Sequence, residues 1–188
     1  MSLIITEAKA VLRKQVRERL ASISPTRRAV ESAQLCARIR TTNHWLNART
    51  ILLFAPLPDE PDIWLLLTNA LAEGKRTALP FFDGEQQRYS ARLIQNTATD
   101  TQIGRFGIRE PKPDCPAVPL NQLDLVLVPG VAFDTGGRRL GRGRGFYDRL
   151  LALAGGVKCG VAFDEQLVDA IPAERHDICL DHILTPLR

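Results

Sequence analysis

Residues 134 to 149 read Asp-Thr-Gly-Gly-Arg-Arg-Leu-Gly-Arg-Gly-Arg-Gly-Phe-Tyr-Asp-Arg. Gly141, Gly143 and Gly145 alternate there with Arg142 and Arg144, and an aromatic pair and an acid follow. Arginine is planar and permanently charged, and its fork of N–H donors fits phosphate oxygens two at a time. Glycine at every second position removes the side chains that would hold backbone amides away from an anion. Asp148 adds a hard oxygen donor of the kind Mg²⁺ prefers. The run follows the apolar stretch Leu125-Val126-Leu127-Val128-Pro129 and ends where a helical stripe of Phe146, Leu150, Leu151 and Leu153 begins. A strand, a glycine loop and a helix start together offer phosphate both amides and a positive helix end. The chemistry implied is polyphosphate binding. The G-x-G-x-G spacing with Phe at 146 is not the dinucleotide fingerprint, and no Gly-Lys-Ser/Thr follows to make a P-loop. Two plainer readings stand beside this one. The run could be a surface loop or hairpin whose arginines face water, or an RNA-binding tract of the Arg-Gly-Gly type. The second sits poorly between two apolar elements, because such tracts lie in low-complexity segments.

Leu127 to Asp134, Gly137, and Arg139 to Arg149 together resemble the signature of 5-formyltetrahydrofolate cyclo-ligases, also called methenyltetrahydrofolate synthetases. The resemblance extends to Lys9 and Arg13, to Pro58-Asp59-Glu60, and to Gly107-Ile108-Arg109-Glu110-Pro111. It also takes in Gly160-Val161-Ala162-Phe163-Asp164-Glu165-Gln166 and His176-Asp177. One departure is Phe146, where the family usually shows a second tyrosine. The resemblance implies an ATP- and Mg²⁺-dependent enzyme that closes 5-formyltetrahydrofolate to 5,10-methenyltetrahydrofolate, releasing ADP and phosphate. It implies ATP contacts from Lys9, Arg13, Arg139, Leu140, Gly141, Arg142, Gly143, Arg144, Gly145, Phe146 and Tyr147. Folate contacts are implied for Glu60 and for Arg142 to Tyr147, metal ligation for Asp148 and Asp181. Arg144 and Tyr147 are the candidate catalytic pair.

Taken without the family, these residues have plainer roles. Lys9 and Arg13 are four apart, on one face of a helix, where such pairs are usually solvated. Glu60 would be a loop carboxylate in water. The pterin amino and ring N–H groups are what would suit it to a folate. Asp148 could cap its helix or bridge Arg149, and Tyr147 could be a core aromatic at a helix start. Histidines 176 and 182 cluster with Asp177 and Asp181, but not at zinc spacing, and His44 beside Trp45 reads as packing. No Ser/His/Asp set or Cys/His pair stands in a suitable context. Two rival functions remain: a sugar-phosphate isomerase or acyl-CoA-type enzyme of similar layering, and an RNA-binding module.

The elements that must position these groups follow from periodicity. A helix is expected over 6–21, with Thr6 as N-cap, and another over 25–40, with Ser24 capping and Pro25 in the first turn. Strands are expected at 50–55, 76–82, 88–94, 124–128 and 158–163, helices at 63–73 and 146–154, and a short edge strand within 177–185. Residues 104–120 read as an ordered but irregular connection. Gly-Val-Ala-Phe-Asp occurs at 130–134 and again at 160–164, and Asp134 and Asp164 are expected to cap the turns that follow them. Alternating strands and helices imply a three-layer α/β/α domain with a mostly parallel, Rossmann-like sheet, and nothing divides residues 1–188. Ligands of such sheets bind outside the carboxyl ends of the strands.

Composition narrows the class. With 45% hydrophobic residues the chain is globular. No apolar stretch approaches a membrane span, and the N-terminus lacks a signal-peptide layout. Four scattered cysteines read as reduced thiols of a cytoplasmic protein. A net charge of +4 is too small and dispersed for a nucleic-acid protein. A monomer with a small-molecule substrate and no nucleic-acid or membrane partner is expected.

Overall fold

The computed structural model describes residues 2–84, 88–104, 107–172, 174 and 177–187, and the side chains of Ser2, Arg88 and Phe146 lie outside that description. The chain opens with α1 (Ser2–Ala21), α2 (Pro25–Arg40) and α3 (Asn43–Asn47), then β1 (Thr50–Leu52), α4 (Trp64–Ala72), β2 (Arg76–Asp83) and β3 (Arg88–Ile94). The hairpin β4 (Thr101–Ile103) and β5 (Arg109–Pro111) follows, then β6 (Ala117–Val118), β7 (Leu125–Val128), and the hairpin β8 (Ala132–Asp134) and β9 (Arg139–Leu140). Helix α5 (Phe146–Leu153), β10 (Val157–Val161), β11 (Leu167–Val168) and β12 (His182–Leu184) complete it.

The 7-stranded sheet runs β12-β10-β7-β1-β2-β3-β6. From β12 to β2 every neighbouring pair is parallel, while β3 and β6 turn antiparallel at one edge. Numbered by their order in the chain, the parallel strands lie 2-1-3-4-5, a doubly wound arrangement whose order reverses between β1 and β7. That switch point opens a crevice at the carboxyl ends of these two strands.

Strand alternation builds two cores. Ile51, Leu125 and Leu127 face one side and pack with Leu35, Ile39, Trp45, Leu66 and Leu67 of α2, α3 and α4. Leu52, Val126 and Val128 face the other, under Leu150 and Leu151 of α5 and Phe133 of β8. Each leucine buried in these layers contributes about 1.5–3 kcal/mol. The expected three layers are present. A third cluster joins Val16 and Leu20 of α1 to Val131, Leu140 and Phe163, so α1 lies on the β8–β9 hairpin. That contact carries Arg13 to the glycine loop.

Helix α2 begins where expected, with Ser24 Oγ accepting from the Arg27 N–H at 3.2 Å. Thr6 is not the N-cap of α1. The helix starts at Ser2 and carries Leu3 and Ile4 exposed in a first turn whose residues do not break it. A second correction concerns the basic run, which is not one loop. Ala132↔Leu140 and Phe133↔Arg139 pair antiparallel before the glycines begin. Asp134 closes that hairpin: its Oδ1 accepts from the N–H groups of Gly136 (2.9 Å) and Arg138 (3.0 Å), and its Oδ2 from Ile171 (2.9 Å). This is the turn-capping role expected of it. Asp164 begins a 3-10 turn and accepts from Thr185 Oγ1 at 3.0 Å. The connection 104–120 is more regular than expected, since it contains β5, β6 and the start of a 3-10 turn. Cys36, Cys115 and Cys159 are buried free thiols and Cys179 is exposed. Among the described residues no helix is long and apolar enough to cross a membrane.

Candidate active site

A cavity of about 400 Å³ occupies the switch-point rim. Phe54 and Ala55 reach it just past β1, Pro80 and Phe82 from β2, Tyr89 from β3, and Pro129 and Gly130 just past β7. Gly141, Arg142, Arg144, Gly145, Tyr147 and Asp148 form its basic side, and Ile108, Arg109 and Glu110 close it from the β4–β5 hairpin. One wall is therefore apolar and aromatic, the other cationic.

The cationic wall is built on glycine geometry. Gly145 caps α5 with φ 63° and Gly143 has φ 103°, left-handed conformations that favour glycine. Arg13 Nε donates to the Gly141 carbonyl at 2.8 Å, tying α1 to the loop. Arg139 lies beneath. Its Nη2 meets Asp148 Oδ1 at 2.7 Å, its Nη1 donates to the Pro129 carbonyl at 3.2 Å, and its guanidinium sits 5.4 Å from the Tyr147 ring centre. A Cβ at position 141 would crowd Arg139 Nη1 at 3.0 Å, so glycine lets the loop lie on the buried guanidinium. With Arg139 buried and Arg142 ion-paired, the run is not a flexible tract of free arginines.

Glu60 faces this loop. Its Oε1 accepts from Arg142 Nη2 (2.9 Å) and Nε (3.3 Å), its Oε2 accepts from the Leu57 N–H (2.9 Å), and Arg142 also reaches Asp59 at 2.6 Å. Burial pushes the Glu60 carboxyl above the usual glutamate value, outweighing both the Leu57 N–H and the arginine. Beside it the Tyr147 hydroxyl is buried without a hydrogen-bond partner among the described residues, and burial raises its pKa strongly. The Tyr89 ring stands 6.3 Å from Tyr147 and 5.3 Å from Phe82. These rings offer a planar heterocycle an apolar slot with a buried carboxylate at its edge.

Other expected site residues fall elsewhere. Lys9 Nζ is held by Asp177 (2.9 Å) and Glu174 (3.1 Å); burial lowers its pKa, but those two contacts outweigh it and the net shift is upward. The Leu140 side chain is buried against α1 and does not line the cavity. Gly143 stands exposed at the loop apex beside Arg13. The backbone of Phe146 begins α5, while its side chain and all of His176 lie outside the described residues. Asp148 bridges Arg139, not Arg149.

Asp181 and Asp148 are not brought together, which corrects their expected pairing around one metal. Asp181 precedes β12, and its Oδ2 accepts from the Lys158 N–H (2.8 Å) at the amino end of β10, the far end of the sheet from the cavity. There His182 stacks on His44 with ring centres 4.5 Å apart. No group of three or more His, Cys, Asp or Glu side chains is arranged to hold a metal among the described residues.

Sequence reasoning overlooked Tyr89, Phe82, Phe54 and Glu110 as site residues. Glu110 is raised in pKa by burial, and its carboxylate packs against the Cα of Gly104, where a Cβ would displace it. Its signal was the Gly-Ile-Arg-Glu-Pro segment, and that of Tyr89 the alternation along 88–94, which puts 89, 91 and 93 on one face.

Residues 5–186 match the model of the 5-formyltetrahydrofolate cyclo-ligase family. The chain is 36% identical to the 5-formyltetrahydrofolate cyclo-ligase of Mycolicibacterium smegmatis, over 86% of this chain and 89% of that one. It is 34% identical to that of Escherichia coli, over 91% and 96% respectively. Among solved structures it resembles the 5,10-methenyltetrahydrofolate synthetase of Aquifex aeolicus, with TM-score 0.86, 31% identity, and coverage of 96% of this chain and 90% of that one. The corresponding protein of Mycoplasma pneumoniae, with TM-score 0.76 and 21% identity, shares the fold. With the match spanning nearly every residue and the basic loop set against an aromatic slot, the chain belongs to the 5-formyltetrahydrofolate cyclo-ligase family.

Proposed function

We propose that this protein converts 5-formyltetrahydrofolate to 5,10-methenyltetrahydrofolate at the expense of ATP, which leaves as ADP and phosphate. The observation that carries this reading is that one and the same cavity has a cationic glycine loop on one side and an aromatic slot with a buried carboxylate on the other. A triphosphate and a pterin would lie in it end to end. The formamide oxygen is a poor leaving group, so ring closure needs activation. The formyl oxygen attacks the γ-phosphorus, the bond to ADP breaks, and a phosphorylated N5=CH–O centre results. N10 adds to that carbon and loses its proton, and the C–O bond breaks to release phosphate and leave the N5–CH–N10 bridge.

This chain's contribution is position and charge. Arg144 and the loop amides oppose charge spreading over the transferring phosphoryl oxygens. A pair of unit charges 4 Å apart is worth about 1 kcal/mol in water and several-fold more where solvent is thinned, so a cleft makes these arginines effective. Tyr147 borders the pterin, Glu60 accepts from its amino and ring N–H groups, and Arg13 braces the loop from behind. Lys9 extends the basic face one helical turn from Arg13. Asp148 suits Mg²⁺, which is commonly held by one or two carboxylates with substrate phosphates completing its shell. When bound, that ion would neutralise charge on the phosphates. Asp181 is too remote to share it.

The reading places a monomer in the cytoplasm, acting on a free or polyglutamylated folate. The test is a spectrophotometric assay of 5-formyltetrahydrofolate with Mg-ATP. Methenyl product and ADP should form in equal amounts, and formation of neither would refute the assignment.

A further inference from the structure

Arg142 belongs to both halves of the cavity at once. It rises from the glycine loop, where a triphosphate would lie, yet its guanidinium is spent on Glu60 and Asp59, at 2.9 Å and 2.6 Å. The Glu60 side chain is 6% exposed, the Arg142 side chain 35%. The carboxylate is thus buried and dependent on this partner, whereas the arginine can turn to another anion without being dug out. Glu60's second oxygen is already taken by the Leu57 N–H. In this state the pterin acceptor is covered by the phosphate clamp.

We infer that Arg142 is a positioning residue that couples the two ligands: a bound triphosphate draws it off Glu60, and the freed carboxylate is then satisfied by the donor edge of the folate. This rests on the functional reading above and deepens it. The energetic logic is symmetrical. A triphosphate arriving alone must strip the cation from a buried carboxylate and leave that charge uncompensated, which is costly. A folate arriving alone must displace the same cation and leave it with the part-exposed Asp59 as its one remaining ion pair among the described residues. When both are present each charged group has a partner, so each ligand binds more tightly in the presence of the other. Linkage requires the two enhancements to be equal.

The test is equilibrium binding to the full-length chain, with 5-formyltetrahydrofolate and a non-hydrolysable ATP analogue titrated separately and together. The analogue should tighten folate binding by about tenfold, within the usual range for coupled sites, and folate should tighten the analogue equally. Arg142→Met should abolish the coupling, leaving a folate affinity that no longer responds to nucleotide. Should that variant fold poorly, the wild-type chain still decides the matter. Inorganic tripolyphosphate should reproduce the enhancement and adenosine should not, because the phosphates are what capture the arginine. Independent binding of the two ligands, coupling that survives in Arg142→Met, or coupling produced by adenosine alone would each overturn the inference while leaving the enzyme assignment intact. Failure of wild-type protein to bind either ligand would instead remove the assignment itself, and the coupling with it.

Discussion

Arg139 and Asp148 meet at 2.7 Å beneath the glycine loop, and the arginine side chain is only 4% exposed. The acid is the counter-charge to a buried guanidinium, and under the proposed function it would also be the carboxylate that meets a nucleotide-bound Mg²⁺. The two can be separated. Asp148→Asn should lower stability by about 1–2 kcal/mol, below the cost of breaking a fully buried pair because the acid itself is part-exposed. It should also raise the Mg²⁺ concentration for half-maximal activity several-fold. Urea unfolding reads the first and a metal titration the second. A lowered midpoint with an unaltered metal titration would leave Asp148 a purely structural anchor.

Glu60 makes a prediction about pH. Burial holds its carboxyl above the usual value despite the Leu57 N–H and Arg142. The folded chain therefore keeps this proton after the unfolded chain has released it. The resulting stabilisation is complete below the unfolded value of about 4.3 and is lost as the pH rises through the folded-state value. Glutamine cannot ionise. The stability of wild type relative to Glu60→Gln, from urea unfolding of ligand-free protein, should therefore fall as the pH rises past the unfolded value; a difference that rises would reverse the assignment of burial as the dominant cause. In turnover the same variant should raise the folate KM by about ten- to a hundredfold, and the ATP KM much less.

The Tyr147 hydroxyl, buried and unpartnered among the described residues, is an unusual expense. A phenol in that position costs about 1–3 kcal/mol unless something bonds it. Tyr147→Phe should therefore leave the ligand-free protein as stable as wild type or slightly more so, while reducing kcat/KM for folate. Equal activity in the two proteins would mean the hydroxyl never meets a ligand and the ring alone matters.

What the sequence made legible was local. Ser24 and Pro25 announce α2 at the residue where it starts, and apolar alternation at Leu125–Val128 dictates which side chains face each core. The G-x-G-x-G spacing placed the basic loop at the rim because a strand precedes it and a helix follows. Non-local relationships stayed hidden. That the basic run opens with a hairpin depends on Asp134 bonding three amides, one of them at Ile171, and on β11 pairing with β8. The remoteness of Asp181 follows from the register Cys159↔His182, which no short-range pattern encodes. Glu110 reaches the cavity only because the β4–β5 hairpin folds over it.

Arg144 is exposed and lines the cavity from the loop. Substitution of an exposed side chain typically changes stability by about 0.5 kcal/mol, whereas loss of a donor aimed at charge developing in the transition state costs about two to three orders of magnitude in turnover. Arg144→Ala should show that split, with an unshifted unfolding midpoint and impaired ATP kinetics. Wild-type ATP kinetics in this variant would remove Arg144 from the phosphate site.

The hairpin that underlies the whole basic wall offers a purely conformational test. Gly137 turns β8 into β9 with φ 80°, and a Cβ there would run into the Leu180 carbonyl. Its own carbonyl accepts from the Leu180 N–H at 2.8 Å, so the tail cannot simply move away. Left-handed backbone costs a side-chain-bearing residue about 1–2 kcal/mol before any clash. Gly137→Ala should therefore lose about 2–4 kcal/mol in urea unfolding, once the contact with Leu180 is added to the backbone strain. Because α1 rests on the same hairpin, the variant should also weaken ATP binding without touching any residue of the cavity. A variant with unchanged stability would show that the turn and the tail relax independently, and that the hairpin does not hold the loop in place.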